Sequence, residues 1–346
     1  MKRFLVLGLA LLLLGSALFA DDAIVMPARV GRLYLAPSYI TGSQSFNNDG
    51  DRVDTDAVTM LNLGAALEYG FTDWITGAVQ WTPGYNIWSE LDMDVPMNVD
   101  LKDMGDLFVG AKLQILGAAA PVRTNAFRLA FAPGVKIPLP GPDFEKQAVN
   151  MATGQDFTAS KIDNHVLGAG LRSYFDIVLN NNFFLNLYNE FIYYPIKGDL
   201  KDAGLAQAAT LAGVNAQLAA VGSSVSGEVD YGYDLTFEIE PVFTYDLSGG
   251  TRITAGLPVN FKTSPGASYS FSGSGPGGDQ GVSTIEELLP DGDTSMLLIV
   301  KPGASIFFMG WALPMEFKLS YFAPIWGQNS PANHVFNFQW RLYFRI

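Results

Sequence analysis

Residues 334–346, at the carboxyl end of the chain, alternate strictly between two kinds of side chain. The apolar side chains are Phe336, Phe338, Trp340, Leu342, Phe344 and Ile346, and the polar or amphipathic ones are Asn337, Gln339, Arg341, Tyr343 and Arg345. Successive residues of a β-strand point to opposite faces, so one face of this strand is an aromatic row. An outer-membrane β-barrel presents such a row to lipid in its closing strand. The pattern therefore predicts a transmembrane barrel.

The amino terminus has the features of a secretory signal. Lys2 and Arg3 precede an apolar run over residues 4–14, and small residues lead to a cleavage site after Ala20. This arrangement is typical of a signal peptide. Leu18 stands where a small residue is usual, so an uncleaved anchor remains an alternative. No other stretch reaches the ~18 uninterrupted apolar residues of a membrane helix.

The composition narrows the class of protein. A length of 346 residues would suit two soluble domains, but 13% aromatic and 16% charged residues fit one large barrel with an apolar outer wall. The formal net charge of -13 argues against nucleic acid, which proteins bind through Lys and Arg. There is no Cys, so the chain has no disulfide to form.

Alternating segments long enough to cross a bilayer recur along the chain. We place strands at residues 32–41, 57–71, 74–82, 105–116, 125–138, 164–179, 183–196, 233–246, 252–262, 296–308, 312–323 and 333–346. The clearest is 105–116, where Leu107 and Val109 alternate with Asp106 and Phe108. The chain then divides into a signal peptide (1–20), a short periplasmic segment (21–31) and an outer-membrane barrel (32–346).

Short and long connections alternate between these segments. The short ones, such as Thr72–Asp73 and Asn180–Asn182, would be periplasmic turns, and the long ones, such as 139–163 and 197–232, extracellular loops. We predict an all-β, antiparallel, up-and-down transmembrane barrel of about 12 strands, with ten or fourteen as alternatives. A secreted soluble β-sandwich shares the alternation, but its outer faces are rarely so apolar.

Charged side chains fall on the inward faces of these strands. We predict that the lumen is lined by Asp106, Lys112, Arg128, Lys136, Arg172, Asp176, Glu190, Glu238, Glu240 and Arg341. Over all inward positions, basic and acidic residues nearly balance, so no ring of one charge sign indicates an ion-selective porin. Two interpretations stay open, a salt-bridge network that fills the barrel and a selectivity filter.

One long loop contains a helical pattern. In residues 203–221 the apolar side chains Leu211, Val214, Leu218 and Val221 recur at spacings of three and four. We predict that this loop helix offers an apolar ligand surface at the barrel mouth. The alternative is that the helix merely packs against its neighbours.

Few residues point to catalysis or metal binding. The chain has two His, at positions 165 and 334, and only Asp163 with His165 resembles the acidic and His pairs of outer-membrane proteases. The oxygen-rich stretch 47–56 lacks the distal Glu of an EF-hand. We therefore expect no enzymatic activity, no metal site and no cofactor.

Three passages carry a resemblance to a known family. They are the hairpin Leu67-Glu-Tyr-Gly-Phe-Thr-Asp-Trp74, the strand start Met104-Gly-Asp-Leu-Phe-Val-Gly-Ala-Lys-Leu113 and the pentapeptide Gly134-Val-Lys-Ile-Pro138. Together they resemble outer-membrane proteins associated with the MetA pathway of phenol degradation, which are similar to FadL-type transporters of fatty acids and aromatic hydrocarbons. The resemblance implies a passive route for small hydrophobic compounds.

The sequence thus predicts an outer-membrane channel of a diderm bacterium that takes up small, hydrophobic molecules such as fatty acids or aromatics. Its expected partners are outer-membrane lipids, the barrel assembly machinery through the carboxyl-terminal strand, and a small hydrophobic ligand. Two alternatives remain, a non-conducting surface-exposed barrel (an adhesin or structural protein) and a hydrophilic solute porin.

Overall fold

A computed structural model describes residues 23–92 and 98–346, so the predicted signal peptide lies outside the described residues. The barrel strands are β1 (Val30–Phe46), β2 (Arg52–Thr72), β3 (Ile75–Asp92), β4 (Leu107–Gly117), β5 (Phe127–Ile137), β6 (Gly168–Val178), β7 (Phe183–Tyr193), β8 (Tyr233–Leu247), β9 (Thr251–Gly256 and Val259–Ser264), β10 (Ser295–Val300 and Gly303–Phe308), β11 (Met315–Gln328) and β12 (His334–Arg345). No helix in these residues is long and apolar enough to span a membrane.

Each strand pairs antiparallel with the next along the chain, and β1 pairs with β12 to close the sheet. The closing register runs from Val30 opposite Arg345 to Thr41 opposite His334. The prediction of a twelve-stranded up-and-down barrel is confirmed for the described residues. A closed sheet also excludes the β-sandwich, because a sandwich is built from two separate sheets.

The two faces of β12 lie in the two environments that its sequence indicates. Phe336 is 51% exposed on the outside, whereas Asn337 and Gln339 are each 1% exposed on the inside. Outward apolar side chains recur on the other strands, for example Leu67 and Phe237. The outer wall is therefore apolar enough to face hydrocarbon, and the polar side chains are gathered within.

Several strands are longer than the alternation indicates. β1 and β2 stay paired as far as Phe46 opposite Arg52, so the predicted loop 42–56 is wrong in its bounds and shrinks to residues 47–51. β3 continues to Asp92 and β11 to Gln328, which shortens the predicted loops 83–104 and 324–332 in the same way. Beyond the bilayer both faces of a strand can be polar, so the two-residue pattern disappears although the backbone pairing continues.

The long loops fold into the outer half of the barrel. They contain α1 (Phe144–Ala152), α2 (Leu205–Leu218) and α3 (Gly278–Leu288) within the described residues. The helix predicted at 203–221 corresponds to α2 and the short 3-10 turn Ala219–Val221 that follows it. Helices α1 and α3 were missed. α1 is only nine residues long, too short for an apolar stripe to stand out from its surroundings.

Two buried apolar clusters hold these helices. The first joins Phe144 and Ala148 of α1 and Leu205 and Ala208 of α2 to strand residues. These strand residues are Ile40, Met60, Leu297, Ile299, Phe322 and Val335. The second joins the rest of α2 to α3 and to a small sheet of residues 198–199, 224–230 and 268–274. We call the second assembly the loop domain. The loops therefore complete the core of the outer half of the barrel.

Candidate functional site

The structure places the ten charged residues predicted to line the lumen in the barrel interior or at its outer mouth. Most are nearly inaccessible, for example Asp176 at 0% and Glu190 at 1% exposure. Lys112 and Arg128 line interior cavities. Most of these residues belong to separate clusters, which strand residues build inside the barrel and loop residues build at its mouth.

One cluster surrounds Arg172 on β6. Its guanidinium forms an ion pair with Glu190 of β7 and donates a hydrogen bond to the side-chain oxygen of Gln80. The ring of Phe108 lies on the guanidinium, with its centroid 3.8 Å from Cζ. The side chains of Arg172 and Glu190 are 12% and 2% exposed. This buried pair fills part of the middle of the barrel.

A second cluster joins β8, β9 and β10. Nζ of Lys301 lies 2.8 Å from Oε2 of Glu238, and Nδ2 of Asn260 donates to the same oxygen over 3.0 Å. Three further ion pairs lie toward the end with the short turns, Arg32 with Glu68 at 2.6 Å, Arg128 with Asp176 at 3.0 Å and Arg341 with Glu316 at 3.2 Å. Sequence reasoning missed Arg32. It lies two residues before the inward-facing Tyr34 on β1, so the alternation places it on the same face.

A third cluster, which we call the mouth cluster, lies at the outer mouth and is built mainly by loop residues. Nε2 of His165 lies 3.2 Å from Asp103 and Nδ1 lies 3.2 Å from Asp106. Asp163 forms an ion pair with Lys136 and accepts the backbone N–H of Asp106 over 3.0 Å. Burial alone would lower the pKa of His165, but the hydrogen-bonded carboxylates outweigh it and raise the pKa to about 9.

The pair Asp163 and His165, singled out in the sequence, is thus divided between two sets of partners. His165 binds Asp103 and Asp106, whereas Asp163 binds Lys136. Asp103, which sequence reasoning missed, lies 62 residues before His165, and no spacing rule connects the two. Because each of these side chains is bonded within the cluster, the cluster ties three loop segments together at the mouth.

Nearby, Lys161 is buried at the junction between these segments and α2. Its Nζ donates to the carbonyl oxygens of Asp202 and Ala203, over 3.3 and 3.1 Å, and to the hydroxyl of Tyr231. Burial lowers the pKa of Lys161 to about 8, because desolvation disfavours the ammonium form. Lys161 therefore holds the residues just before α2 in place, although burying its charged ammonium group is unfavourable.

The predicted ligand surface of the loop helix lies mostly inside the protein. Leu211 and Val214 are 9% and 4% exposed in the core of the loop domain, and Leu218 packs against that core. Only Val221 is open to solvent, at 56% exposure. In this conformation α2 packs against its neighbours and presents little apolar surface outward.

The residues before β1 cross the barrel interior at the end with the short turns. We call residues 23–29 the strap. The backbone N–H of Ala23 donates to the carboxylate of Asp176 over 3.2 Å, and that of Met26 donates to Thr76 Oγ1 over 2.8 Å. Nζ of Lys112 donates to the carbonyl oxygen of Ile24 over 3.4 Å. The inward polar side chains thus satisfy the backbone of the strap.

Gly70 on β2 is required for the strap to lie where it does. A Cβ at Gly70 would lie 2.1 Å from the carbonyl oxygen of Pro27. We expect Gly70→Ala to displace the strap, and a nitroxide at Ile24→Cys to become more mobile and more accessible to water. Gly213→Ala is the matched control, because a Cβ at Gly213 meets nothing within 4 Å. Unchanged spectra in the Gly70→Ala barrel would show that the strap is not held there.

A cavity of about 420 Å³ occupies the half of the lumen that lies toward the short turns. Ile24 and Met26 of the strap form part of its wall, and Asn180 and Asn181 of the β6–β7 turn lie at its edge. A smaller cavity lies on another side of the strap, lined by Thr76, Lys112 and other residues. The strap therefore divides the interior at this end.

Comparison with known proteins bears on the fold. The COG4313 outer-membrane channel from Pseudomonas putida F1 superposes with a TM-score of 0.58 at 13% identity, over 94% of this chain and 100% of that one. The chain has the fold of an outer-membrane channel. The fold implied by the sequence resemblance is thus confirmed. No protein-family model matches the sequence, and no curated protein does.

Two other solved structures are more distant. The toluene transporter TbuX from Ralstonia pickettii aligns with a TM-score of 0.40 at 8% identity, over 94% of this chain and 91% of its own. A FadL homologue from Pseudomonas aeruginosa aligns with a TM-score of 0.34 at 10% identity, over 96% of each chain. Likeness at this level does not distinguish one family of barrels from another.

Proposed function

We propose that this barrel is an outer-membrane channel for the uptake of small hydrophobic molecules. The observation that carries the proposal is the apolar filling of the outer half of the lumen, where α1 and α2 pack against inward residues such as Ile40 and Phe322. A hydrophilic porin keeps a polar, water-filled interior. An apolar interior instead suits a hydrophobic ligand, which partitions out of water.

The barrel wall offers a further support for this proposal. β3 pairs with β4 only from Ile75 to Trp81, and beyond Trp81 it is flanked by the loop residues 98–106. There the regular ladder of a strand pair is replaced by separate hydrogen bonds, such as the N–H of Gly105 donating to Gly84 over 2.7 Å and the N–H of Asn86 donating to Asp103 over 3.0 Å. A wall made of loop on one side opens more easily than a continuous ladder of strands. A hydrophobic ligand could therefore leave the lumen sideways at this point.

The proposal extends to the setting of the protein. After cleavage behind Ala20, the mature barrel would lie in the outer membrane of a diderm bacterium, inserted by the barrel assembly machinery through β12. We also propose that it is not an enzyme, since Asp163 and His165 are each bonded in the mouth cluster. The alternative of a non-conducting surface barrel is favoured by one observation, the ion pairs that fill the middle of the lumen.

Uptake measurements test this function. Cells that express the barrel are compared with cells that lack it, for entry of toluene and of arabinose. We expect the barrel to accelerate toluene entry several-fold and to leave arabinose entry unchanged, with no steady conductance steps in planar bilayers. Arabinose flux with steady steps would instead indicate a hydrophilic porin. Acceleration of neither compound would indicate a surface barrel.

A further inference from the structure

On one side of the 420 Å³ cavity, the strands carry mostly small side chains. Thr254, Ser305 and Lys318 lie opposite one another in register across β9, β10 and β11. The next inward row on the same strands consists of Gly256, Gly303 and Ser320. The Glu240 side chain lies against the second row, because a Cβ at Gly256 would be 2.2 Å from Oε1 of Glu240. The first row ends in a lysine.

The charges around this space are not balanced as they are over the whole interior. Among the described residues, the basic side chains in the lining are Arg32, Arg128, Arg252, Lys301, Lys318 and Arg341, and the acidic ones are Glu238, Glu240 and Glu316. The partners of Arg32 and Arg128 are Glu68 and Asp176, which lie outside this lining. Arg252 likewise pairs with Asp246, which is not in the lining. Basic side chains therefore outnumber acidic ones in the lining itself, although three of them are paired with carboxylates outside it.

Lys318 differs from the other basic residues of the lining. It has no acidic partner within 4.0 Å among residues 23–92 and 98–346. Glu316, two residues away on the same face of β11, is already bonded to Arg341 and to the hydroxyl of Tyr343. The cross-strand neighbours of Lys318 are the neutral Ser305 and Gln339. An ammonium group at the wall of a cavity is therefore available to an anion.

Apolar surface completes the cavity. Ile24 and Met26 of the strap, Phe184, Val242 and Phe322 line it together with the polar residues. The volume lies within the ~300–1,000 Å³ of typical small-molecule sites. A ligand with one charged end and one apolar body can satisfy both kinds of wall at once.

We propose that this cavity binds a small amphipathic organic anion, a single-ring or short-chain carboxylate, whose carboxylate contacts Lys318 and whose apolar part lies against the strap and Phe184. The inference rests on the proposed function, because it identifies a ligand class for the inner part of the same lumen. It also gives the strap a role as one wall of the site.

Binding of benzoate and of benzamide to the purified barrel in detergent, measured by titration calorimetry, tests the proposal. The two probes have nearly the same size and differ in charge. We expect benzoate to bind at least tenfold more tightly, and added salt to weaken it, because charge-assisted hydrogen bonds to carboxylate are the stronger kind. Equal binding of the two probes would overturn the proposal without any variant.

Variants at Lys318 locate the site. We expect Lys318→Met to weaken benzoate binding about tenfold to a hundredfold and to leave benzamide unchanged, since a hydrogen bond to a charged group is lost. Lys318→Arg keeps the charge and should keep the preference for benzoate. Lys146→Met, on the exposed face of α1, is the matched control. Unaltered benzoate binding in Lys318→Met would refute the site.

The benzoate-binding result and the toluene-uptake result can fail independently of each other. If toluene uptake is accelerated and benzoate shows no preference, the anion site fails and the channel function stands. If benzoate binds through Lys318 and toluene uptake is not accelerated, the site stands and the channel function fails.

Discussion

Glu190→Leu should destabilise the folded barrel by about 3–5 kcal/mol, the cost of leaving a buried charge without its partner. Glu190 is the counter-charge of Arg172, and both side chains are almost fully enclosed in the middle of the lumen. The free energy of unfolding in urea, measured on the barrel in micelles, checks this expectation. Glu228→Gln serves as the control, because Glu228 pairs with Lys197 on the surface and exposed pairs contribute little.

The double variant Arg172→Met with Glu190→Leu makes this test sharper. Replacing both members of a buried pair by apolar residues of similar size is often neutral. We expect the double variant to recover most of the stability that Glu190→Leu loses. Recovery would show that the pair fills the lumen, which is the structural interpretation of the interior charges. A double variant as unstable as the single one would contradict it.

The second large effect concerns the mouth cluster and pH. The folded pKa of His165, about 9, lies above its ordinary value of 6.5, so the stabilisation from its protonated ring is fully present below about pH 6.5. It is lost as the pH rises through about 9, and a shift of this size corresponds to about 3 kcal/mol. Urea unfolding of the barrel at pH 6, 7 and 8 measures the first part of this loss, before most of Lys161 gives up its proton.

Two variants isolate the contribution of His165. His165→Gln should be less stable at pH 6 and should lack the decline that the native barrel shows between pH 6.5 and 9. Lys161 acts in the opposite direction, because its pKa is lowered to about 8 and its burial penalty is relieved as the pH rises above that value. In Lys161→Met the decline should therefore be steeper. If the stability of Lys161→Met does not fall as the pH rises from 6.5 to 9, the role of His165 is excluded.

The fold could be predicted from the sequence because alternation is a local property. The polarity of each residue of β12 indicates whether it faces lipid or the barrel interior, as Phe338 and Gln339 show. The signal fails where both faces are mostly polar, which is why the paired extension of β1 and β2 around Gln44 and Asp54 was missed. The strap was missed for a different reason, since its path depends on hydrogen bonds to Thr76 and Asp176, far away in the sequence.

The candidate site was predicted only in part. Parity along a strand identifies which charged residues point inward, and it gave the ten lumen positions. It does not tell which residue pairs with which, because partners such as Arg341 and Glu316 meet through the register of neighbouring strands. It also cannot locate a cavity. The cavity beside Lys318 is lined by Ser305 and Gly303 of the neighbouring strand β10.

The packing of the loop helices has a consequence for the order in which the molecule is made. Ile40 on β1 and Val335 on β12 belong to the same apolar cluster as Phe144 of α1 and Leu205 of α2. The seam between the first and last strands is therefore lined, on its inner side, by residues that need the helices as neighbours. We therefore expect barrel closure and loop folding to be coupled during biogenesis. Closure before the helices have folded would leave an unfilled apolar cavity beneath the seam.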